Sequence, residues 1–287
     1  MTDMTLLLPY KNTFENHLKA SIGNLGEKSK LRDACEYALL NGGKRIRPII
    51  VQMMAKALEK EMSVLDACLS VEFFHTASLI ADDLPCMDND DFRREKPSTH
   101  KVYGETVALL ASYALITEGF EMVHKSTGEL VDGDKVGMLA LATATKGSGL
   151  SGATGGQFLD LFPKGKTLGN ICEVIEKKTV TLFEVAFVFG WLFGGGEISG
   201  LDNVKKAAHH FGMAFQIADD LDDLKQDGMQ KESQNIALCL GGDQARDLFD
   251  AELKCFESQM KKLQIFNLEF QELSRLLYAK LEQAPLL

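Results

Sequence analysis

A repeated pentapeptide restricts the fold of this chain more than any other feature. Ile-Ala-Asp-Asp-Leu occurs at residues 80–84 and again at 217–221, each time closing an apolar run with helical spacing. Carboxylates at the end of a buried helix repel one another, and burial disfavours their charged forms unless cations compensate. The repeat is therefore what a site clamped between two facing helices would require.

Helical periodicity extends along nearly the whole chain. Apolar residues recur at spacings of three and four, whereas alternating β-branched runs separated by turn dipeptides are nearly absent. Glycine pairs and prolines supply the breaks. Helices are predicted at 10–22, 29–41, 45–60, 63–84, 103–126, 132–146, 150–161, 168–195, 201–226, 241–264 and 267–283. The predicted fold class is all-α, a single domain over 1–287 with about ten helices.

The composition indicates a soluble protein with a sizeable core, since 45% of the 287 residues are hydrophobic and 25% are charged. A net charge of −10 disfavours nucleic acid and anionic membranes as partners. Six widely spaced cysteines without a CxxC pair are typical of reduced thiols in a cytosolic protein. The apolar runs are too short for a signal peptide or a membrane span, so a cytoplasmic protein is expected.

The first copy of the repeat lies in a stretch, Ser78–Lys101, that is unusually rich in carboxylates. Pro85 disfavours helical geometry at Leu84 and removes a backbone donor, so the helix should stop or bulge there. Mg²⁺ together with a polyanion would complete such a site, whereas the spacing does not fit a calcium-binding EF-hand. The acidic residues of this stretch, followed at once by Arg93 and Arg94, are Asp82, Asp83, Asp88, Asp90 and Asp91.

The second copy lies in Phe215–Asp223. Asp219 and Asp223 are four residues apart and Asp220 and Asp223 three, so these carboxylates share one face of a continuous helix. A solvated acidic face is the alternative, but the preceding turns look like core. Two facing clusters could hold a small group of Mg²⁺ ions around one diphosphate.

A basic segment, Asn41–Pro48, precedes both clusters. Two glycines before a helix start present backbone N–H groups, and Lys44, Arg45 and Arg47 add positive charge. These features indicate an anion site at a helix N-terminus, although a plain loop-to-helix junction would look similar. The spacing is not that of a P-loop.

Five motifs taken in order resemble the trans-isoprenyl diphosphate synthases, in particular the short-chain enzymes that make farnesyl or geranylgeranyl diphosphate. The motifs are GGKRIRP, HTASLIADDLPCMDNDDFRR, GGQFLD, KKT and FQIADDLDD, and the resemblance covers roughly residues 39–242. It implies the isoprenoid synthase fold, with helices around a central cavity. It also implies a homodimeric prenyltransferase that condenses isopentenyl diphosphate with an allylic diphosphate (dimethylallyl, geranyl or farnesyl).

The resemblance also implies a role for individual residues. About three Mg²⁺ ions on the allylic diphosphate would be held by Asp82, Asp83, Asp88, Asp219, Asp220 and Asp223. The same diphosphate would contact Arg93 and Lys178. The metal-free diphosphate of isopentenyl diphosphate would be bound by Lys44, Arg47, His75 and Arg94. The region where cationic character develops would be lined by Gln157, Asp160, Thr179 and Gln216.

The implied chemistry agrees with these residue types. Metals and basic side chains neutralise a leaving diphosphate without proton transfer, and Lys178, Thr179 and Gln216 would act closest to the reacting atoms. A dry channel lined with weak dipoles protects an allylic cation from water, and the diphosphate itself would take the final proton. A lone histidine on a core helix is usually structural, but His75 lies two turns before Asp82 on the same face, which favours a site role.

Two further sequence features concern the departure of this chain from the family pattern and the length of its product. The loop after the second cluster is shorter than in most relatives, with Lys231 as its candidate lysine and Lys225 as runner-up, so closure of the active-site lid could differ. Ala77 and Ser78 are small where the shortest-product enzymes often place an aromatic ring, which favours a C20 over a C15 product. The floor could instead be set by Phe73, Phe74, Leu109, Leu110 or Tyr113.

Two other functions stay open. A terpene cyclase shares the fold and the ionisation chemistry, but would be expected to lack the basic set proposed for isopentenyl diphosphate. A non-catalytic regulatory partner also keeps the fold, but tends to lose one of the two aspartate clusters.

Overall fold

A computed structural model describes residues 5–128, 130, 132–224 and 234–283 of the chain. The first helices are α1 (Leu8–Ser21), α2 (Lys30–Leu39), α3 (Ile46–Ala57), α4 (Leu65–Asp82), α5 (Thr99–Tyr103), α6 (Glu105–Lys125) and α7 (Gly133–Ser148). The later ones are α8 (Ala153–Leu161), α9 (Leu168–Ile175), α10 (Thr181–Phe193), α11 (Leu201–Asp222), α12 (Ile236–Leu240), α13 (Gly242–Lys262) and α14 (Leu268–Gln283). Among the described residues, the strands are the antiparallel pair β1 (Phe92–Arg93) and β2 (Lys96–Pro97).

The all-α prediction is confirmed, and each predicted helix has a counterpart within a few residues of its expected bounds. The short helices α5 and α12 and the β1–β2 hairpin were not predicted. The helix α4 ends at Asp82, three residues before Pro85, as the proline predicted. The helix predicted at 168–195 is present as an unbroken helical run, in which a π-helical turn at Glu176–Val180 connects α9 to α10.

The helix α10 forms the centre of the molecule. All of its side chains except that of Glu184 are buried, and α3, α4, α7 and α11 pack around it. A helix that is apolar on every side is stable only when it is surrounded in this way. Gly190 permits the close approach of α3, because a Cβ at this position would lie 2.6 Å from the carbonyl oxygen of Val51. The helices α3, α4 and α11 that carry the sequence motifs therefore converge on one side of a common core.

One helix among the described residues, α6, is long and apolar enough to cross a membrane by length and hydropathy alone, and 39% of its most apolar window is buried. Core helices pass the same test. Here α6 packs along α4 and α2, so one of its faces belongs to the core. Its other face exposes Leu109, Leu110 and Tyr113.

Candidate active site

A cavity of about 560 Å³ collects most of the residues that the motifs pointed to. It lies where α3, α4, α10 and α11 meet the loops beside them. The predicted site residues that line it are Lys44, Arg47, His75, Ser78, Asp82, Arg93, Arg94, Gln157, Lys178, Thr179, Gln216 and Asp219. Residues separated by up to 175 positions in the sequence thus share one surface.

Asp82 and Asp219, the first aspartates of the two repeats, both face this cavity. Burial raises the pKa of Asp82 to about 7, although Lys178 and Arg93 oppose the rise. Burial also raises the pKa of Asp219, against the effect of Lys280 and Lys44. Carboxylates that are disfavoured as free anions and open to a shared cavity suit a hard divalent cation, which restores their charge and binds oxygen.

Asp88 lies on the exposed turn that follows α4 and outside the lining of the cavity. Its backbone N–H donates to the carbonyl oxygen of Asp82 at 2.9 Å, so the chain folds back on the helix end after Pro85. The amide nitrogen of Gln157 donates to the Asp88 carboxylate at 3.2 Å, which connects it to α8. Asp88 therefore belongs to the rim of the site.

Asp83 occupies a different environment from Asp82. Its side chain is 4% exposed and lies outside the cavity lining, where it forms an ion pair with Arg93. The Arg93 Nε–H donates to Asp83 at 2.9 Å, and another guanidinium nitrogen of Arg93 lies 2.9 Å from Asp90. In this arrangement Arg93 neutralises Asp83.

Asp220 and Asp223, two further members of the predicted metal set, do not line the cavity. Asp220 is buried, and its carboxylate accepts hydrogen bonds from Gln216 at 2.8 Å and from the backbone N–H of Ile236 at 2.7 Å. It thereby anchors the start of α12 to α11. Asp223 follows the last residue of α11 on the exposed surface and does not line the cavity.

The basic segment before α3 brings Arg47 into the cavity. Its guanidinium carbon lies 4.2 Å from the centre of the Phe183 ring, and burial lowers the pKa of Arg47 to about 10. The side chain remains cationic at neutral pH. Its Nε–H is buried without a hydrogen-bond partner among the described residues. An anion in the cavity would satisfy this donor.

Two glycines shape the loop beside Arg47. Gly42 and Gly43 have positive φ angles of 77° and 118°, which side chains rarely adopt. The Arg94 guanidinium donates to the carbonyl oxygen of Gly42 and packs against Gly43, where a Cβ would lie 2.5 Å from its central carbon. The glycine pair therefore permits Arg94 to lie beside Lys44 at the cavity.

Arg45 requires a correction to the sequence interpretation, which counted it with the positive charge of this segment. Its guanidinium is buried, with its Nε 2.7 Å from Glu15 and a further ion pair to Glu72, and it also donates to the carbonyl oxygen of Leu39. Two carboxylates therefore neutralise it. Arg45 borders the cavity, and its ion pairs fasten α1, α3 and α4 together.

The π-helical turn at Glu176–Val180 places Lys178 and Thr179 side by side in the cavity lining. Lys178 forms an ion pair with Asp160 of α8 at 2.5 Å, and the Thr179 hydroxyl donates to Gln216 at 2.8 Å. The π-helical insertions of proteins often occur at functional sites. Gly156 of α8 packs against this turn, since a Cβ on Gly156 would lie 2.3 Å from the backbone nitrogen of Lys178.

His75 lines the cavity from α4, among arginine side chains. Burial lowers the pKa of His75 well below its usual value, and the charges of Arg47 and Arg94 lower it further. The imidazole is therefore neutral at physiological pH. It can donate one hydrogen bond to a ligand, but it does not supply a positive charge.

A second cavity of about 400 Å³ adjoins the first and is mainly apolar. Ala77 and Ser78 both line it, and Ser78, Asp82 and Gln157 also border the polar cavity. The apolar walls include Phe74, Ile116, Phe158, Leu161, Phe162 and Leu182. An elongated ligand with an anionic head and an apolar tail could lie across both cavities.

Of the residues that were considered as an alternative floor for the product channel, one lines the apolar cavity and the others do not. Phe74 lines the apolar cavity and stacks edge-to-face on Phe120, with ring centres 5.0 Å apart. Phe73 is buried, whereas Leu109, Leu110 and Tyr113 are exposed on α6 and do not line the cavity.

The structure adds Lys280 of α14, which sequence reasoning missed. Its ammonium group forms an ion pair with Asp219 and lies 3.7 Å from Asp222. Because Lys280 is 61 residues from Asp219 and belongs to no motif, no local pattern could have identified it. The predicted loop lysine Lys231 and its alternative Lys225 lie outside the described residues.

Comparison with known protein families identifies a match over most of the chain. The polyprenyl synthetase family profile matches residues 28–237. The chain belongs to the polyprenyl synthetase family. The sequence-based identification of the short-chain trans-isoprenyl diphosphate synthases is thereby confirmed at the level of the family.

The relatives include bacterial and plant proteins. A farnesyl diphosphate synthase of Geobacillus stearothermophilus is 35% identical over 240 residues, which cover 83% of this chain and 79% of that protein. Geranylgeranyl pyrophosphate synthase 7 of Arabidopsis thaliana is 38% identical over 251 residues, which cover 85% of this chain and 70% of that protein. The heterodimeric geranylgeranyl pyrophosphate synthase large subunit 2 of the same plant is 39% identical over 226 residues. These residues cover 77% of this chain but only 58% of the plant protein.

Solved structures show the same fold. A geranyltransferase from Legionella pneumophila superposes with a TM-score of 0.85 at 26% identity and 96% coverage of both chains. A geranyltranstransferase from Thermotoga maritima superposes with a TM-score of 0.80 at 30% identity, covering 95% of this chain and 99% of that one. The all-helical architecture of this chain is thus the architecture of its family.

Proposed function

We propose that this protein is a Mg²⁺-dependent prenyltransferase that condenses isopentenyl diphosphate head-to-tail with an allylic diphosphate. The product would be a short-chain all-trans prenyl diphosphate. One observation carries the proposal: a cavity lined by carboxylates and basic side chains opens beside an apolar cavity. The names of the bacterial and plant relatives support the same reaction class.

The carboxylates suited to Mg²⁺ are those of Asp82 and Asp219, with Asp88 at the rim. Burial at or beside the cavity raises the pKa of each of these side chains. When bound, Mg²⁺ would neutralise the charge that develops on the leaving diphosphate. Asp83 and Asp220 support the site indirectly in this arrangement. Asp83 holds Arg93, and Asp220 fixes Gln216.

Basic side chains would divide between two diphosphates. Arg93 and Lys178 lie with Asp82, so they would bind the allylic diphosphate together with the metal ions. Lys44, Arg47 and Arg94 would bind isopentenyl diphosphate, whose charge satisfies the buried donor of Arg47. Such pairs between guanidinium and phosphate are short and charge-assisted.

The region between the two diphosphates would guide an allylic cation. The Thr179 hydroxyl and the Gln216 amide hold each other by a hydrogen bond, so their dipoles are fixed. Leu182 and Phe215 also line the cavity, which limits the access of water. The Ser78 hydroxyl donates to the carbonyl oxygen of His75 at 2.9 Å and is not activated as a nucleophile. The released diphosphate would accept the final proton.

The apolar cavity favours a C20 product over a C15 product. Its wall beside Asp82 is made of Ala77 and Ser78, which leave space for a tail that extends towards Phe74 and Ile116. We also propose a homodimer and a cytoplasmic location, although one of the plant relatives is described as chloroplastic.

The proposal is tested by incubating the full-length protein with labelled isopentenyl diphosphate, an allylic diphosphate and Mg²⁺. We expect elongation that stops when Mg²⁺ is removed by chelation. Asp82→Asn and Asp219→Asn should each lower turnover by about a thousandfold, because each removes a carboxylate from the cavity. Asp91→Asn is the matched control, since Asp91 pairs with Lys101 on the exposed part of the same acidic stretch.

The outcome separates three functions. Conversion of the allylic diphosphate alone to a hydrocarbon would indicate a terpene cyclase. Absence of any Mg²⁺-dependent conversion, in a folded preparation, would indicate a non-catalytic partner. Undiminished elongation by either aspartate variant would show that its cluster does not hold the metal.

A further inference from the structure

A second group of metal-ligating side chains lies away from the cavity, where α11 packs between the π-helical turn and α13. His209 and His210 of α11 and Glu252 of α13 each place one ligand atom within 4.8 Å of the other two. All three residues are partly buried, and none of them lines either active-site cavity. Within the described residues, this is the one group of three or more His, Cys, Asp or Glu side chains with that spacing.

Carboxylates hold both imidazoles. The Nδ1 atom of His210 lies 2.7 Å from a carboxylate oxygen of Glu252, and the Nδ1 atom of His209 lies 2.7 Å from Oε2 of Glu176. The two rings are 5.2 Å apart at an angle of 77°. A carboxylate on one ring nitrogen fixes the orientation of a histidine and raises its basicity as a metal ligand.

The closeness of the two rings favours a metal ion over two separate histidine–glutamate ion pairs. Full ion pairing would require both imidazoles to be protonated although the rings are neighbours, and like charges at this distance disfavour each other. One divalent cation bound by neutral imidazoles avoids that repulsion.

The ligand atoms define the class of metal. Two imidazole nitrogens and one carboxylate oxygen suit Zn²⁺, whereas Mg²⁺ requires oxygen ligands in an octahedral arrangement. Bonds of 2.0–2.1 Å to a tetrahedral Zn²⁺ place ligand atoms about 3.4 Å apart. Small side-chain rotations would bring the present group to that spacing, and water or a further side chain would supply the fourth ligand.

We propose that His209, His210 and Glu252 bind one structural Zn²⁺ ion, with Glu176 orienting His209. The ion would fasten together three elements: the π-helical turn that carries Lys178 and Thr179, the helix α11 that carries Asp219, and α13. Binding would displace the proton that His210 shares with Glu252, whereas the Nδ1–H of His209 would remain donated to Glu176. Zinc binding would stabilise the native state by mass action, without taking part in the reaction.

The test is a calorimetric titration of the full-length, chelator-treated protein with ZnCl₂ in the presence of excess Mg²⁺. The Asp82→Asn/Asp219→Asn double variant provides the background, so that the acidic clusters do not contribute. We expect saturable binding of one Zn²⁺ per chain and a higher thermal midpoint. His210→Asn and Glu252→Gln should each weaken binding about tenfold or more, and Glu176→Gln should have a similar effect as an orienting residue.

His17→Asn is the matched control, because His17 pairs with Asp66 elsewhere in the structure and should leave zinc binding unchanged. Circular dichroism verifies that each variant is folded before the titration. Unchanged zinc affinity in both folded His210→Asn and Glu252→Gln would overturn the proposal. A stoichiometry far below one in the background protein would show that the group forms plain ion pairs.

Discussion

His75 lies on α4 two turns before Asp82, with the guanidinium groups of Arg47 and Arg94 close enough to lower its pKa. Burial has opposite effects on the acids and bases of this cavity, since it raises the pKa of Asp82 and lowers those of Arg47 and His75. Each shift disfavours the charged form. A metal–diphosphate complex would therefore stabilise the cavity, because its cations would pair with the carboxylates and its anion with the basic side chains.

The depressed pKa of His75 predicts a pH effect on stability. As the pH falls below about 6.5, the unfolded chain binds a proton at this histidine and the native state does not, so the free energy of unfolding decreases. His75→Gln should remove this contribution and flatten the pH dependence of the thermal midpoint on the acidic side. His124→Gln, at an exposed position of α6, serves as the control. Equal slopes in wild type and His75→Gln would contradict the prediction.

Ser78 borders both cavities, so its size should control the passage of the growing tail. Ser78→Phe is expected to shift the product towards shorter chains, because a ring would fill the wall beside Asp82. Ser78→Ala keeps the space and should leave the product unchanged. Chromatography of the dephosphorylated products measures both. The same product distribution from a fully active Ser78→Phe variant would assign the limit to another wall.

At the scale of elements, the π-helical turn is the most consequential local structure. It connects α9 to α10 within an unbroken helical run and directs Lys178 and Thr179 into the same cavity. The turn is supported by Gly156 of α8, whose missing side chain allows backbone contact. The GGQ segment of the sequence thus acts through packing as well as through Gln157.

Gly156→Ala should displace this turn. An added Cβ would lie 2.3 Å from the backbone nitrogen of Lys178. Overpacking of this kind lowers the free energy of unfolding by about 1–3 kcal/mol. We expect a lower thermal midpoint and a reduced kcat. Gly169→Ala is the matched control, because a Cβ on α9 at that position meets no atom of the described residues within 4 Å. Wild-type kcat and stability in Gly156→Ala would show that the contact has no role in positioning the turn.

The helix α14 contributes an electrostatic contact through Lys280, which pairs with Asp219 and Asp222. Lys280→Gln should lower the stability of the metal-free protein by about 1–2 kcal/mol, since it leaves a partly buried carboxylate without its cation. The stabilisation produced by added Mg²⁺ should increase in this variant. Thermal unfolding with and without Mg²⁺ measures both effects.

Lys261→Gln controls for the loss of a lysine, because Lys261 pairs with Glu257 on the exposed face of α13. Its effect on the thermal midpoint should be small and insensitive to Mg²⁺. If Lys280→Gln and Lys261→Gln behave alike, the contact with Asp219 does not influence metal binding.

At the scale of the whole molecule, the outer face of α6 is the main candidate for association between copies. It exposes Leu109, Leu110 and Tyr113 on a helix whose opposite face packs on α4. We expect light scattering to give twice the mass of one chain. Leu110→Glu should shift the protein towards monomers, because a charge would be buried at the interface. Leu268→Glu, at an exposed leucine of α14, should not. A monomeric wild type would contradict the prediction.

The acidic repeat, the helical periodicity and the order of the motifs determined much of this protein by themselves. Helical spacing predicted nearly every long helix, because the apolar stripe of a helix is a local property of the sequence. The motifs identified the family and most of the residues that line the cavity. These predictions succeeded where function and secondary structure depend on residues close together in the chain.

Tertiary structure alone decided how equivalent residues differ. Asp82 and Asp83 are neighbours, yet one faces the cavity and the other pairs with Arg93. Asp219 and Asp220 likewise separate into a cavity residue and an anchor for α12. Arg45 became a buried counter-ion, and Lys280 reached the site from a distant helix. Such outcomes depend on side-chain direction and on partners far away in the sequence, which no local pattern records.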